Sequence, residues 1–313
     1  MPELGYDKPL FMLAFDHRGS FRKDLFGIAG TPTTEEHERI ADSKRVIYEG
    51  FEHAVGNGLS SEEAGLLVDE EYGADVARRA RAAGFTLAMP VEKSGQAEFD
   101  FEFGEQFGEH IEDFDPTISK VLVRYNPEGD QELNKRQTER LRKLADWLHA
   151  RDRKFLYELL VPAETAQLES VNRDTARYDR ELRPELVLTT IQQTQDAGVE
   201  VDIWKIEGLD RREDCERVAD QARSGGRDGV ACIVLGRGAS EDKVAQWLRN
   251  GAGVPGYVGF AVGRTLWWNE LSGYVAGDLD RDAAAQRIGD NYRRMVNFYT
   301  AAEREATSAS LPG

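Results

Sequence analysis

Eight times over, the chain alternates a short apolar run, rich in β-branched and aromatic residues, with a longer segment of helical period. The apolar runs fall at 10–15, 64–68, 86–90, 120–125, 155–160, 201–206, 230–235 and 257–262. Most are nearly continuous, not alternating, which is the pattern of strands covered on both faces. Helical periods occupy 34–55, 74–83, 132–151, 183–197, 211–223, 241–250 and 282–304. Thr33-Thr34-Glu35-Glu36 supplies a helix start and Ala197-Gly198 a helix stop. This rhythm predicts an α/β chain forming a single (β/α)8 TIM barrel, with an open doubly wound sheet as the alternative. The expected organisation is one domain over 1–313, its barrel at 8–305 and a frayed tail at 306–313.

One segment breaks the rhythm. Between Glu98 and Asp115, eight acidic residues in eighteen are interspersed with Phe99, Phe101, Phe103, Phe107 and Phe114. It is too polar for a core helix, and it predicts a loop or short hairpin leaving the third strand. Such a segment lies over the barrel mouth, against another subunit, or in solvent, pinned by its aromatics.

Charge narrows the partners. Forty Lys+Arg against 57 Asp+Glu give a formal charge of −17, which argues against nucleic acid and against a polybasic membrane anchor, because both need clustered cations. No stretch approaches the roughly 18 apolar residues that span a bilayer, and acids stand near the N-terminus where a signal peptide carries basic residues. The expected location is the cytoplasm. Cys215 and Cys232 offer neither a disulfide framework nor zinc spacing and read as structural thiols.

In a barrel, chemistry sits at the C-terminal ends of the strands. Polar residues there are Asp16, His17 and Arg18, then Asp69 and Glu70, Glu92 and Lys93, Lys120 and Arg124, and finally Glu158, Lys205, Glu207 and Arg264. Lys205, one of only ten lysines, interrupts the apolar run Val201-Asp202-Ile203-Trp204-Lys205-Ile206. An amine there is costly to bury charged, and desolvation or a second cation makes such an amine nucleophilic toward a carbonyl. It reads equally as a structural lysine paired with Glu158 or Glu207. Glu158, the carboxylate of another apolar strand, fits a proton shuttle or an ion pair with Lys120 or Lys205.

Leu235-Gly236-Arg237-Gly238 and Gly259-Phe260-Ala261-Val262-Gly263-Arg264 end the last two strands. Barrels frequently bind phosphate there through exposed N–H groups, and Arg264 could add a bidentate contact; the glycines also suit plain tight turns. His37, His53 and His149 fall on helices and His110 in the acidic segment, so no zinc spacing arises. Asp69-Glu70-Glu71 could hold a hard cation but better complements a helix dipole. Neither a nucleophile elbow nor a Walker loop is present.

The segments Leu13-Ala14-Phe15-Asp16-His17-Arg18-Gly19-Ser20, Leu67-Val68-Asp69-Glu70-Glu71-Tyr72-Gly73, Pro90-Val91-Glu92-Lys93-Ser94-Gly95 and Val201-Asp202-Ile203-Trp204-Lys205, with the strand-eight run above, occur in order along nearly the whole chain. Together they resemble the class I aldolases that include tagatose-bisphosphate and sulfofructose-phosphate aldolase. Nearest is the aldolase-like domain fused behind 5-dehydro-2-deoxygluconokinase in myo-inositol catabolism.

The resemblance implies that Lys205 forms a Schiff base, that Glu158 shuttles protons, and that Lys120 and Asp16 position hydroxyls. It places Arg18 in the substrate pocket and the substrate phosphate on Gly236, Gly238, Gly263 and Arg264. The implied reaction splits a phosphorylated sugar into dihydroxyacetone phosphate and an aldehyde, with no metal or organic cofactor. For 5-dehydro-2-deoxy-gluconate 6-phosphate that aldehyde is malonate semialdehyde, whose carboxylate would meet Arg18, Arg124 or Arg237. Tagatose bisphosphate and 6-deoxy-6-sulfofructose 1-phosphate stay open, as do a homo-oligomer, a sugar-kinase partner and a sugar-phosphate-binding regulator without turnover. His17, where those bisphosphate aldolases carry Gln, and Arg237, in a turn usually small and neutral, depart from the group and leave the aldehyde half of the substrate unassigned.

Overall fold

In the computed structural model, which describes residues 4–309, eight parallel strands close into a barrel in sequence order. They are β1 (Leu10–Ala14), β2 (Ala64–Leu67), β3 (Thr86–Pro90), β4 (Ile118–Arg124), β5 (Lys154–Leu160), β6 (Ile203–Glu207), β7 (Ala231–Leu235) and β8 (Tyr257–Val262). Each falls on one of the eight apolar runs. Closure is made by β1 pairing with β8, Leu10 against Gly259 through Leu13 against Val262, which excludes the open sheet.

The strands alternate with α1 (Gly19–Phe26), α2 (Thr34–Gly56), α3 (Glu70–Ala82), α4 (Phe107–Phe114), α5 (Gln131–His149), α6 (Thr165–Ser170), α7 (Thr175–Arg177), α8 (Arg183–Asp196), α9 (Arg212–Arg223), α10 (Glu241–Gly251), α11 (Arg264–Ala276) and α12 (Arg281–Ala309). Local chemistry starts several of them. Thr33 and Glu36 form a reciprocal capping box on α2, and Asp69, Asp130 and Ser240 cap α3, α5 and α10.

Period-two alternation divides each strand between two environments. Leu10, Met12 and Ala14 of β1 join Ile118, Leu156, Ile203 and Ile233 in an apolar plug inside the barrel, while Phe11 and Leu13 face the helices with the outer core. Continuing the same inward parity by two residues reaches Asp16, Lys120, Glu158 and Lys205. The plug therefore forms the floor beneath those four polar side chains.

The acidic segment departs from expectation. It contains a single antiparallel bridge, Glu92 to Phe101, then a 3₁₀ turn at Gly104–Gln106 and the barrel helix α4. Phe107 and Ile111, four residues apart, bury one face of α4, and Phe99 and Phe101 are buried beside them. The acids point outward to Lys and Arg of neighbouring elements, among them Glu98 to Arg136 and Arg140, Glu105 to Lys143, Glu112 to Arg151 and Asp113 to Arg78. High acidity thus marks the solvent face of an amphipathic helix. Helices α1 and α11 went unpredicted too, as did the short turns of 165–182. Where fraying was expected from Ala306, α12 continues to Ala309, and 310–313 lie outside the described residues. Among the described residues, no helix is long and apolar enough to cross a membrane.

At the end of the barrel away from the polar layer, Asp202 is fully buried and ties three segments together. Its carboxylate accepts from the Gly5 and Phe155 amides, each at 2.8 Å, and meets His149 Nε2 at 2.9 Å. Burial raises the carboxyl pKa, but the His149 bond and the two amides outweigh it and hold it below the usual range. A depressed folded-state pKa contributes stability above the unfolded value near 3.9, lost as pH falls through the folded one. Asp202→Ala should cost about 2–4 kcal/mol in urea unfolding at pH 7, since two buried N–H donors lose their acceptor. The deficit should shrink below about pH 4; a variant as stable as the parent at pH 7 contradicts the role.

Candidate active site

The polar layer opens into a cavity of about 850 Å³ at the C-terminal ends of the strands. Its centre is an ion cluster. Lys120 Nζ, on β4, donates to Asp16 Oδ2 at 2.8 Å and to Glu92 Oε1 at 2.7 Å, and lies 3.0 Å from Glu158 Oε2. The same Glu158 oxygen is 3.0 Å from Lys205 Nζ on β6. Glu158 and Lys205 are directly paired residues of adjacent strands, so backbone register places the carboxylate beside the amine. Lys205, Lys120, Glu158 and Glu92 are all at most 5% exposed.

Burial of this kind is tolerable only when charges offset one another. Burial lowers the Lys120 pKa, but Asp16, Glu158 and Glu92 outweigh it and hold the amine well above its ordinary value. For Asp16 and Glu158, burial favours the neutral form, and the Lys120 and Lys205 charges reverse that and hold both carboxyls low. Glu92 differs. Burial dominates there, only partly relieved by Lys120 and Arg18, and its carboxyl is raised. The layer thus holds two firmly ionised carboxylates and one biased toward protonation.

Each residue singled out in the sequence can be placed. Asp16, Arg18, Lys120, Arg124, Glu158, Lys205, Arg237, Gly238, Gly263 and Arg264 line the cavity, whereas Gly236 stands behind it, facing the Val262 side chain. Arg18 is committed elsewhere: its buried guanidinium donates to the Glu92 carbonyl, to Glu102 at 3.2 Å and to Glu70 at 3.4 Å, strapping the β1 loop to the β3 loop. Arg124 donates to the Gln96 carbonyl at 2.7 Å. Arg237, at a positive φ of 52°, is paired with Glu207 at 3.0 Å and Asp179 at 2.8 Å. Arg264 opens α11, stacked over Trp268 and 3.2 Å from Asp24.

Gly263 is required by packing, because a Cβ there would collide with the Ala14 carbonyl. Its position brings the first turn of α11 to the cavity wall, where the Arg264 and Thr265 amides precede the first helical bond, from Leu266 N–H to the Gly263 carbonyl at 2.8 Å. Beside it lies His17, whose Nδ1 is buried without a partner. Burial and then the Arg264 charge, opposed by Asp16, push its pKa down to about 4, so the imidazole is neutral at pH 7.

Glu92 stands out in the sequence as a strand-end acid, but its bond to Lys120 carries no sequence signal. Lys44 was missed entirely: it lies mid-helix in α2, and only its place on the buried face could have marked it. The cavity lining carries Arg18, Arg22, Lys93, Lys120, Arg124, Lys205, Arg237 and Arg264 against Asp16, Glu71, Glu92 and Glu158, eight bases to four acids. The chain as a whole has charge −17, so the wall reverses its sign, although Arg18, Lys93, Arg237 and Arg264 are each paired with carboxylates that stand behind the lining. Asp69 caps α3 and accepts a bond from Lys44; among the described residues no cluster of three or more His, Cys, Asp or Glu could hold a metal.

A lysine–carboxylate centre at the mouth of a (β/α)8 barrel thus defines the site. The chain belongs to the family described as "Uncharacterized protein conserved in bacteria (DUF2090)", whose model matches residues 5–303. No curated protein matches the sequence. Solved structures of similar fold include the Plasmodium falciparum fructose-bisphosphate aldolase (TM-score 0.66, 12% identity, 95% of this chain and 91% of that one). A Corynebacterium glutamicum protein is similar at TM-score 0.57 and 18% identity, covering 95% and 88%. A Schiff-base-forming fructose-1,6-bisphosphate aldolase is similar at TM-score 0.55 and 12% identity, covering 93% and 94%. At these identities the likeness concerns the fold.

Lys120→Met would strand up to three buried carboxylates without their cation, at about 3–5 kcal/mol. In the parent, the raised Lys120 pKa contributes stability that is present below the unfolded pKa near 10.4 and lost as pH rises through the folded value. In the variant, the carboxyls can take up protons instead. Its deficit in urea unfolding should therefore be larger at pH 8 than at pH 5; equal deficits would contradict the cluster's electrostatics.

Proposed function

We propose that the protein is a metal-independent class I aldolase, cleaving a ketose-type sugar phosphate to dihydroxyacetone phosphate and an aldehyde. The observation that carries this is the shared Glu158 oxygen, 3.0 Å from both Lys205 and Lys120, inside a cationic cavity. The aldolases of similar fold, one named as Schiff-base-forming and both as acting on fructose bisphosphate, support the same reading.

In this mechanism the Lys205 amine adds to the substrate ketone and water leaves, giving an iminium that serves as the electron sink. Glu158 takes the proton of the hydroxyl β to that carbon. The α–β carbon bond breaks, its electrons forming the enamine while the hydroxyl carbon becomes the aldehyde. The enamine carbon then regains a proton, and hydrolysis frees dihydroxyacetone phosphate and restores Lys205. Lys120, fixed as a cation, and Asp16 orient the hydroxyls. Gly238, Gly263 and Arg264, with Gly236 behind them, hold the phosphate at the first turn of α11.

The substrate favoured is 5-dehydro-2-deoxy-gluconate 6-phosphate, giving malonate semialdehyde. Of the three arginines considered for the aldehyde carboxylate, Arg124 fits best, since it donates to a neutral carbonyl, while Arg18 and Arg237 are paired with carboxylates.

Incubation with dihydroxyacetone phosphate and borohydride should leave a reduced adduct on Lys205, read by intact mass and peptide mapping and absent from Lys205→Met. Binding of the ligand without an adduct would instead favour a sugar-phosphate-binding protein without turnover. Glu158→Gln should lower turnover about 10²–10⁴-fold, the usual worth of a positioned acid–base group. Arg124→Leu should raise KM for condensation with malonate semialdehyde much more than with a neutral aldehyde; equal effects on both would remove the carboxylate assignment.

A further inference from the structure

Lys44 lies on the inner face of α2 at 0% exposure, where burial, opposed by the Asp16 charge, pushes its pKa down to about 7. An ammonium group has three hydrogens to donate, and a buried one must place them all. Its Nζ donates to the Phe15 carbonyl at 2.8 Å, to the His17 carbonyl at 3.0 Å and to the Asp69 carboxylate. The rings of Phe21 and Tyr72 flank it at 5.2 and 5.9 Å. Asp69 is itself fixed, because its other oxygen accepts from the Tyr72 amide at 2.9 Å and so caps α3.

The two carbonyls it grips belong to the residues immediately before and after Asp16. Holding both leaves the intervening residue little backbone freedom, and the Asp16 carboxylate is the group that reaches Lys120 at 2.8 Å. We propose that Lys44 is a positioning residue, clamping the peptide on either side of Asp16 so that the carboxylate is presented to the Lys120–Glu158–Lys205 cluster. A chain of contacts then runs from the capped start of α3, through Asp69 and Lys44 in the outer layer, to the amine layer inside the barrel.

The clamp makes a demand that general stabilisation does not: it acts through Asp16. Lys44→Met/Asp69→Ser removes the amine and its carboxylate partner together, which avoids a stranded charge, and serine can still cap α3. The double variant should stay folded, with an unfolding midpoint lowered because the Phe15 and His17 carbonyls lose their donor, and should slow borohydride trapping at Lys205 about 10- to 100-fold, as for a group displaced by an ångström. In an Asp16→Asn background the same double change should add less than about twofold, because the residue it positions has already been altered. A full slowing in that background, or an undiminished rate in the folded double variant, overturns the proposal.

The rate readout rests on the imine reading; the position of Asp16 does not. A crystal structure of the double variant should show the backbone of 15–17 displaced and the Asp16–Lys120 contact lengthened beyond its 2.8 Å, and an unmoved Asp16 overturns the clamp even if no imine ever forms. Absence of any adduct on the unsubstituted protein, with Asp16 displaced in the double variant, would sink the aldolase reading and leave the clamp standing.

Discussion

Everything at the mouth of this barrel is arranged around a single buried cation. Lys120 sits among Asp16, Glu92 and Glu158, drawn from β1, β3 and β5 or the loops that follow them, and no one of those carboxylates could be buried ionised alone. The cluster makes the loops mutually dependent. Asp16 can be held low only if Lys120 stays charged, and Lys120 stays charged only while the acids surround it. Electrostatics, more than apolar packing, fixes how the strand ends meet, and Lys205 shares that environment through one oxygen of Glu158.

Outside the cluster, the same economy recurs with fewer partners. Arg18 uses its guanidinium to join the β1 and β3 loops. Arg237 stands in the turn after β7 but is tied to Glu207 and Asp179, so β6 and the turns of 165–182 support the wall on which phosphate is expected. His17, neutral and with an unpartnered ring nitrogen, is a polar group of the wall that the protein itself leaves unused.

The sequence carried the strands well because a strand buried on both faces is a contiguous block of apolar residues, and all eight blocks lie where strands form. A polar residue interrupting such a block has few reasons to be there, which is why Lys120, Glu158 and Lys205 stand out in the sequence alone. Helices were less visible. In α11 the polar Arg264, Thr265, Asn269, Glu270 and Ser272 are intermingled with the buried Leu266, Trp267 and Leu271, so no single face sets a period. In α4 the period existed, through Phe107 and Ile111, but the density of acids obscured it. Contacts across the barrel had no local signature. Lys44 grips residues 27 and 29 positions away, and Glu92 meets Lys120 across 28, distances at which spacing says nothing.

The apolar plug beneath the cluster has a consequence for timing. Among the described residues, Met12, Ile118, Leu156, Ile203 and Ile233 pack the barrel below the amines, and the cavity opens at the mouth. Whatever occupies the cavity also blocks that opening. In the proposed reaction, an intermediate on Lys205 would be shielded from hydrolysis until the fragment nearer the rim had departed, so the order of release would follow from the depth at which the amine sits.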